Sequence, residues 1–343
     1  MRSTSVPSLW LRLAAVCEVI GIVFASIFLQ RMVLAALGLQ RWKVVQQEMI
    51  ESGEPDFLLL ARLAAQDQLL RYGFLFALAF GIGWWYRRRR RESYGLTLNK
   101  QAPAKLVAMG VVLAAGAGLL PATLQFAARW LPIGKGPEHW GLFPDTLTWE
   151  FLLYMAMGSF LLVPLVEELA ARGYMQTRLI EDFGPAGGIL ITAFFFTVAH
   201  TQYFKLEILS LGMVVSLALG SVLMGYVFVR TGSLLPTIVA HAIVNFPLPN
   251  SALIEGIQLA VMTLVLMSAW RWIGSGWPAF RETLSGAREV KLPVLGAMLL
   301  ITLILFFGLS NQTLAIALVP VLLIVALVIE ARDRRTGLPH RTP

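Results

Sequence analysis

The sequence predicts an all-α fold, a polytopic membrane helix bundle of eight to ten transmembrane helices. Three observations predict it. Hydrophobic residues make up 57% of the 343 and charged residues 14%, against about 25% charged in a soluble domain. The mean hydropathy is +0.71. The apolar residues also lie in long runs, and a helix needs roughly 20 of them to cross a bilayer.

The candidate segments, in order, are Leu13–Leu29, Leu69–Tyr86, Leu106–Leu124, Phe151–Val166, Ile189–Ala199, Ile208–Val229, Leu235–Phe246, Leu253–Trp270, Leu292–Leu309 and Leu314–Ile329. The fifth and seventh are short, so their helices extend beyond the apolar run or sit inside the bundle. The first is too long for a signal peptide, contains Glu18 and lacks a small-x-small cleavage site, so it reads as an uncleaved anchor. Polar residues dominate Gln40–Gln68, room for one or two amphipathic helices. Pro132–Asp145 is a Pro/Gly-rich outer loop. The single cysteine, Cys17, excludes an internal disulfide and a cysteine-rich metal site.

The net charge is +8, and its distribution decides its meaning. Basic residues cluster in connections: Arg87–Arg91, Arg172 with Arg178, then Arg271, Arg281, Arg288 and Lys291, and last Arg332, Arg334, Arg335 and Arg341. Basic loops mark the cytoplasmic side of a membrane protein. "WWYRRRRR" is an aromatic interface belt followed by a topology anchor, which argues against nucleic acid as the partner. The expectation is a multi-pass protein of the bacterial plasma (inner) membrane with both termini in the cytoplasm. Three regions follow: membrane helices and an outer polar stretch over 1–147, a polar-bearing helical core over 148–247, and further helices with a basic tail over 248–343.

Residues 148–247 concentrate the polar groups expected at membrane depth, where ionised groups are costly and mark function by default. In "LLVPLVEELAARGY", Glu168 and Arg172 are four apart and stack on one helix face as an ion pair. Glu167 is rotated about 100° from that pair and is free to face something else. Pro164 cannot donate a backbone hydrogen bond, so a kink is expected one turn before the acids. "FTVAH" places Phe196 and His200 on one face, and "HAIVN" does the same for His241 and Asn245. The other two histidines, His139 and His340, are in loops. "EDFGPAGG" breaks the helix at Gly184-Pro185, midway between Glu167 and His200. An antiparallel hairpin would set these two at one level, each about 15 residues or roughly 22 Å of rise from the turn. His241 reaches that level only if the start of its helix is recessed in the protein.

A carboxylate in an apolar pocket becomes a usable general base near neutral pH. A neutral histidine beside it orients or deprotonates a water, and a second histidine with an amide donates to a developing oxyanion. No serine or cysteine nucleophile lies within the three motifs, so attack by activated water is favoured, with no cofactor required. The alternative is Zn²⁺ held by Glu167, His200 and His241, although the usual H-E-x-x-H helix is absent. Glu18 and Glu255, single acids near segment ends, read as structural.

The ordered set EExxxR, FxxxH and HxxxN on consecutive membrane helices resembles the CPBP family, the CAAX-protease and bacteriocin-processing (Abi) intramembrane proteases. Glu167-Glu168 with Arg172, Phe196 with His200, and His241 with Asn245 fill its motifs without departure over about residues 148–247. The resemblance implies an intramembrane endopeptidase acting on a membrane-embedded peptide or protein, near the C-terminus of a CAAX-like or bacteriocin-type substrate. By position, Glu167 and His200 would activate the water, His241 and Asn245 would stabilise the oxyanion, and Glu168 with Arg172 would hold the site in shape. A proton or ion transporter predicts polar residues through the full depth and inverted repeats, and neither is visible. A non-enzymatic binder of hydrophobic peptides predicts no need for the intact motifs. The oligomeric state is not encoded in any of these patterns.

Overall fold

The structure, a computed structural model, describes residues 9–38, 42–52, 56–86, 94–96, 102–134, 148–246, 248, 251–289 and 328. Every regular element among them is helical. In order these are α1 (Leu9–Ala36), α2 (Trp42–Ser52), α3 (Phe57–Gly81), α4 (Pro103–Ala127), α5 (Trp149–Met155), α6 (Leu162–Glu168), α7 (Thr177–Val198), α8 (Ile208–Thr231), α9 (Leu235–Val244) and α10 (Ala252–Ser285). Wider π-helical turns extend α3 (Ile82–Tyr86), α5 (Ala156–Phe160) and α6 (Leu169–Gln176).

Among the described residues, five stretches are long and apolar enough to cross a membrane: Leu11–Ala36, Pro103–Ala127, Trp149–Val198, Ile208–Thr231 and Ala252–Ser285. The expected count of eight to ten divides differently for physical reasons. Leu69–Tyr86 is the apolar end of α3, whose first turns come from the polar stretch. Phe151–Val166 and Ile189–Ala199 are parts of one interrupted and folded stretch. α9 has 10 residues, about 15 Å of rise and half a bilayer. Leu292–Leu309 lies outside the described residues. So do Leu314–Ile329 apart from Val328, the Arg87–Arg91 run, His139, His340 and the basic tail.

The break at Gly184 is a hairpin turn. Gly184 takes φ 71° and ψ 174° inside α7, a region essentially reserved for glycine. The chain then runs back along itself. A Cβ on Gly188 would lie 2.9 Å from the amide nitrogen of Ile180 and 3.1 Å from the carbonyl oxygen of Gln176. The Arg172 guanidinium carbon sits 4.6 Å from the centroid of the Phe196 ring. Both contacts straddle Gly184.

α1 packs on α3 and α7, α8 lies against α7, and α4 packs along α8, α9 and α10. At Gly110 the approach of α4 to α9 leaves no room for a side chain, because a Cβ would come within 2.7 Å of the Pro236 carbonyl oxygen. The main apolar core joins Val16, Val19 and Ile22 of α1, Leu75 of α3, Val166 of α6 and Leu179 of α7. Cys17 is packed in the interior.

Buried ions tie the periphery to this core. Glu18 accepts from the hydroxyl of Tyr174 and from Arg178 Nε at 3.2 Å, and Arg178 Nη1 reaches Asp182 Oδ2 at 2.5 Å. These bonds dock α1 on the near limb of the hairpin. Arg129 grips Glu255 with two bonds, at 2.5 and 2.9 Å, and so ties the end of α4 to the first turn of α10. Both single acids thus occupy ion pairs. On α10, Leu253, Ile257, Val261, Leu264 and Met267 form an exposed apolar face, as suits a helix against lipid.

Gly184→Ala isolates the backbone term, because nothing lies within 4 Å of the added methyl. Its expected cost is about 1–3 kcal/mol. Gly73→Ala, equally open but inside the helix α3, is expected to gain about 0.5–1 kcal/mol. Thermal unfolding of both variants in one detergent checks the contrast.

Candidate active site

α6 carries both glutamates and begins at a break. Leu161 has φ −120° and ψ −63°, and its amide reaches back five residues to Ala156 at 3.0 Å. Pro164, unable to donate to the Phe160 carbonyl, sits just beyond. The kink lies where the proline predicts it. The following turns, Leu169–Gln176, are π-helical and buried at every residue, and π-turns are frequent at functional sites.

Polar side chains on this buried segment find specific partners. Arg172, with no exposed surface, donates from Nη1 to Glu168 Oε1 at 2.9 Å and from Nη2 to Ser221 Oγ at 2.8 Å. Its guanidinium covers the Phe196 ring. Gln176 Nε2 donates to the Gly225 carbonyl at 2.9 Å. Both Arg172 and Gln176 therefore lock the hairpin onto α8.

Phe196 is the hub of the site. Its ring lies 4.8 Å from that of His200 and 5.9 Å from that of His241, centroid to centroid. Its carbonyl oxygen is 2.7 Å from His200 Nδ1. A carbonyl only accepts, so Nδ1 carries the hydrogen and Nε2 of the neutral ring carries the lone pair. His200 also stacks on Tyr203, 6.2 Å between centroids.

His241 reaches the same site because the start of α9 is recessed. Ser233, Leu234, Pro236 and Thr237 are all buried, and the amide of Leu234 donates to the Gly95 carbonyl at 3.0 Å. His241 then stands between the two acids. Its Nδ1 is 2.9 Å from Glu168 Oε1, and its Nε2 is 3.8 Å from Glu167 Oε2. Against the carboxylate that Arg172 also holds, Nδ1 is the donor. Glu168 therefore orients His241 as well as pairing with Arg172, a contact that helical spacing alone did not indicate.

Glu167 points away from the Glu168–Arg172 pair. Its Oε1 accepts from the hydroxyl of Tyr72 on α3. Its Oε2 is buried and has no hydrogen-bond partner among the described residues. Tyr72 is the residue that motif reading missed. The signal was faint: Arg71-Tyr72 interrupts an otherwise apolar run.

Asn245 is placed differently from the others. Asn245 caps α9, with its backbone N–H bonded to the His241 carbonyl at 3.0 Å, so it keeps the spacing of four from His241. Its amide donates to the Ser159 carbonyl at 3.3 Å, and the Ser159 hydroxyl donates back to the Asn245 carbonyl at 3.2 Å. The structure thus gathers Glu167, Glu168, Arg172, Phe196, His200 and His241, and ties Asn245 to the turn before α6.

Zinc needs its donors about 2.0–2.2 Å from one point. Among the described residues no three His, Cys, Asp or Glu side chains are gathered to hold a metal ion. Glu167 and His241 approach each other, but His200 does not join them as a third donor. These side chains, as placed, do not form the two-histidine, one-glutamate set.

Glu167 Oε2 is a buried carboxylate oxygen faced by His241 Nε2, an arrangement suited to holding and deprotonating a water. Residues 148–247 match the family model of the Rce1-like type II CAAX prenyl endopeptidases. No curated protein and no solved structure gives a match. Over α5 to α9 the chain is thus similar to the Rce1-like type II CAAX prenyl endopeptidases, in keeping with its resemblance to the CPBP family.

Proposed function

We propose that this multi-pass membrane protein is an intramembrane endopeptidase that hydrolyses a peptide bond with water activated by Glu167. The carrying observation is Glu167 Oε2: buried, without a hydrogen-bond partner among the described residues, and faced by His241 Nε2 at 3.8 Å. At that separation a water beside the pair can contact both groups.

In this reading Glu167 takes the proton of the attacking water, and His200 assists through the lone pair of Nε2. His241 and Asn245 stabilise the oxyanion of the tetrahedral intermediate. Asn245 gives one amide hydrogen to Ser159 and keeps a second for this role. For His241 to donate from Nε2 while Nδ1 donates to Glu168, its ring must carry both protons. The proton taken from water supplies that charge if it passes to His241 as the intermediate forms. Glu168, Arg172 and Phe196 hold the geometry. The substrate is a membrane-embedded peptide or protein, cut near the C-terminus of a CAAX-like or bacteriocin-type sequence. Both termini lie in the cytoplasm of a bacterial plasma membrane, following the basic loops.

Glu167→Ala and His200→Ala are each expected to lower cleavage by about 10²–10⁴-fold while the protein still inserts in the membrane. Cleavage of a quenched prenylated CAAX peptide measures this, and wild-type turnover by Glu167→Ala would defeat the assignment. Arg172→Ala leaves Glu168 buried without its cation and is expected to cost about 3–5 kcal/mol in thermal unfolding. The double replacement Glu168→Leu with Arg172→Met is expected to recover stability but not activity, because His241 loses its orienting carboxylate. Thorough chelation is expected to leave turnover intact. Loss on chelation with recovery in Zn²⁺ would establish the zinc alternative.

A further inference from the structure

We propose that Tyr72 of α3 is the positioning residue for the Glu167 base, so that a helix outside the Rce1-like segment completes the site; this rests on the assignment of Glu167 made above. The terminal torsion of a glutamate is broad and lets its two oxygens exchange places. The Tyr72 hydroxyl removes that freedom by donating to Oε1. The oxygen left over, Oε2, is the one that faces His241. The bond therefore selects which oxygen is presented to the water, and fixes its direction.

Tyr72 is itself held. It is 3% exposed, and the Arg71 guanidinium carbon lies 5.4 Å from its ring centroid. Arg71 in turn interacts with the charges of Glu167 and Asp67. α3 is braced against the segment leading to α6, where a Cβ on Gly158 would lie 3.1 Å from the Ala65 backbone. The groups acting on Glu167 are thus Tyr72 and Arg71 from α3, His241 from α9, and His200 and Tyr203 after α7. Of these, Tyr72 alone makes a direct hydrogen bond to Glu167 among the described residues. A tyrosine that merely filled space would be replaced by phenylalanine without consequence for the carboxylate.

The test compares the full-length protein, Tyr72→Phe, Glu167→Gln and the double variant in one detergent. Infrared difference spectra between tyrosine and phenylalanine at position 72 should show a displaced carboxylate stretch, and the same difference should be flat when Glu167→Gln is present. A flat difference in both backgrounds overturns the proposal without reference to any substrate. With a quenched prenylated CAAX peptide as probe, Tyr72→Phe should lower kcat about 10- to 100-fold with KM within about twofold. Wild-type kcat, or a fall matched by an equal loss of folded protein, also overturns it. Glu167→Gln cutting at the wild-type rate would instead defeat the base assignment, whatever the infrared says of Tyr72.

Discussion

The buried pair of Glu168 and Arg172 is the constraint on which the rest of the site depends. Neither side chain has exposed surface. A charge removed from water is tolerated only when it is paired and its remaining hydrogen-bonding groups are served. The architecture around the pair meets that demand. Ser221 of α8 accepts from the guanidinium, Phe196 of α7 offers its ring face, and His241 of α9 donates to the carboxylate. Three helices thus converge because one ion pair needs three kinds of partner. The convergence in turn brings both imidazoles to Glu167.

Elements outside the family-matched segment are part of this arrangement. α1 sends Glu18 to meet Tyr174, on the same π-helical segment as Arg172. α3 sends Tyr72 to Glu167. The two contacts are complementary: α1 supplies an acceptor to a tyrosine of the core, and α3 supplies a tyrosine donor to an acid of the core. Residues 148–247 hold the motifs, and two helices from the first third of the chain fix how those motifs stand.

Much of this was legible in the sequence wherever local spacing carries the information. The Glu168–Arg172 pair follows from a separation of four, and Gly184-Pro185 marks the break at which a hairpin would level Glu167 with His200. The recessed start of α9 could be named as a requirement, but only the fold supplies it, through Ser233, Leu234 and the Gly95 carbonyl. Tyr72 was not legible, because its partner is 95 residues away and no helical period connects them. Asn245 was read as sharing a helix face with His241. It caps that helix, still bonded to the His241 carbonyl, and its side-chain amide donates to Ser159. A spacing of four names a face, but not the partner that a side chain finds there.

The adjacency of the two glutamates has its own physical reason. Neighbouring residues on a helix diverge by about 100°, so two adjacent acids cannot serve one atom from one direction. They can serve the two nitrogens of one ring. His241 meets Glu168 through Nδ1 and faces Glu167 with Nε2. The first contact fixes which nitrogen carries the hydrogen and how the ring stands. That fixes the tautomer and direction in which the second nitrogen meets Glu167. His200 is set by the same logic with a backbone carbonyl in place of an acid. In both rings Nδ1 is committed to the protein, which leaves Nε2 to face outward from that contact. Moving Glu168 by one position would leave the His241 imidazole able to turn. The double acid is thus one device in two parts, a charged anchor and, in the proposed reading, a base, joined through a single histidine.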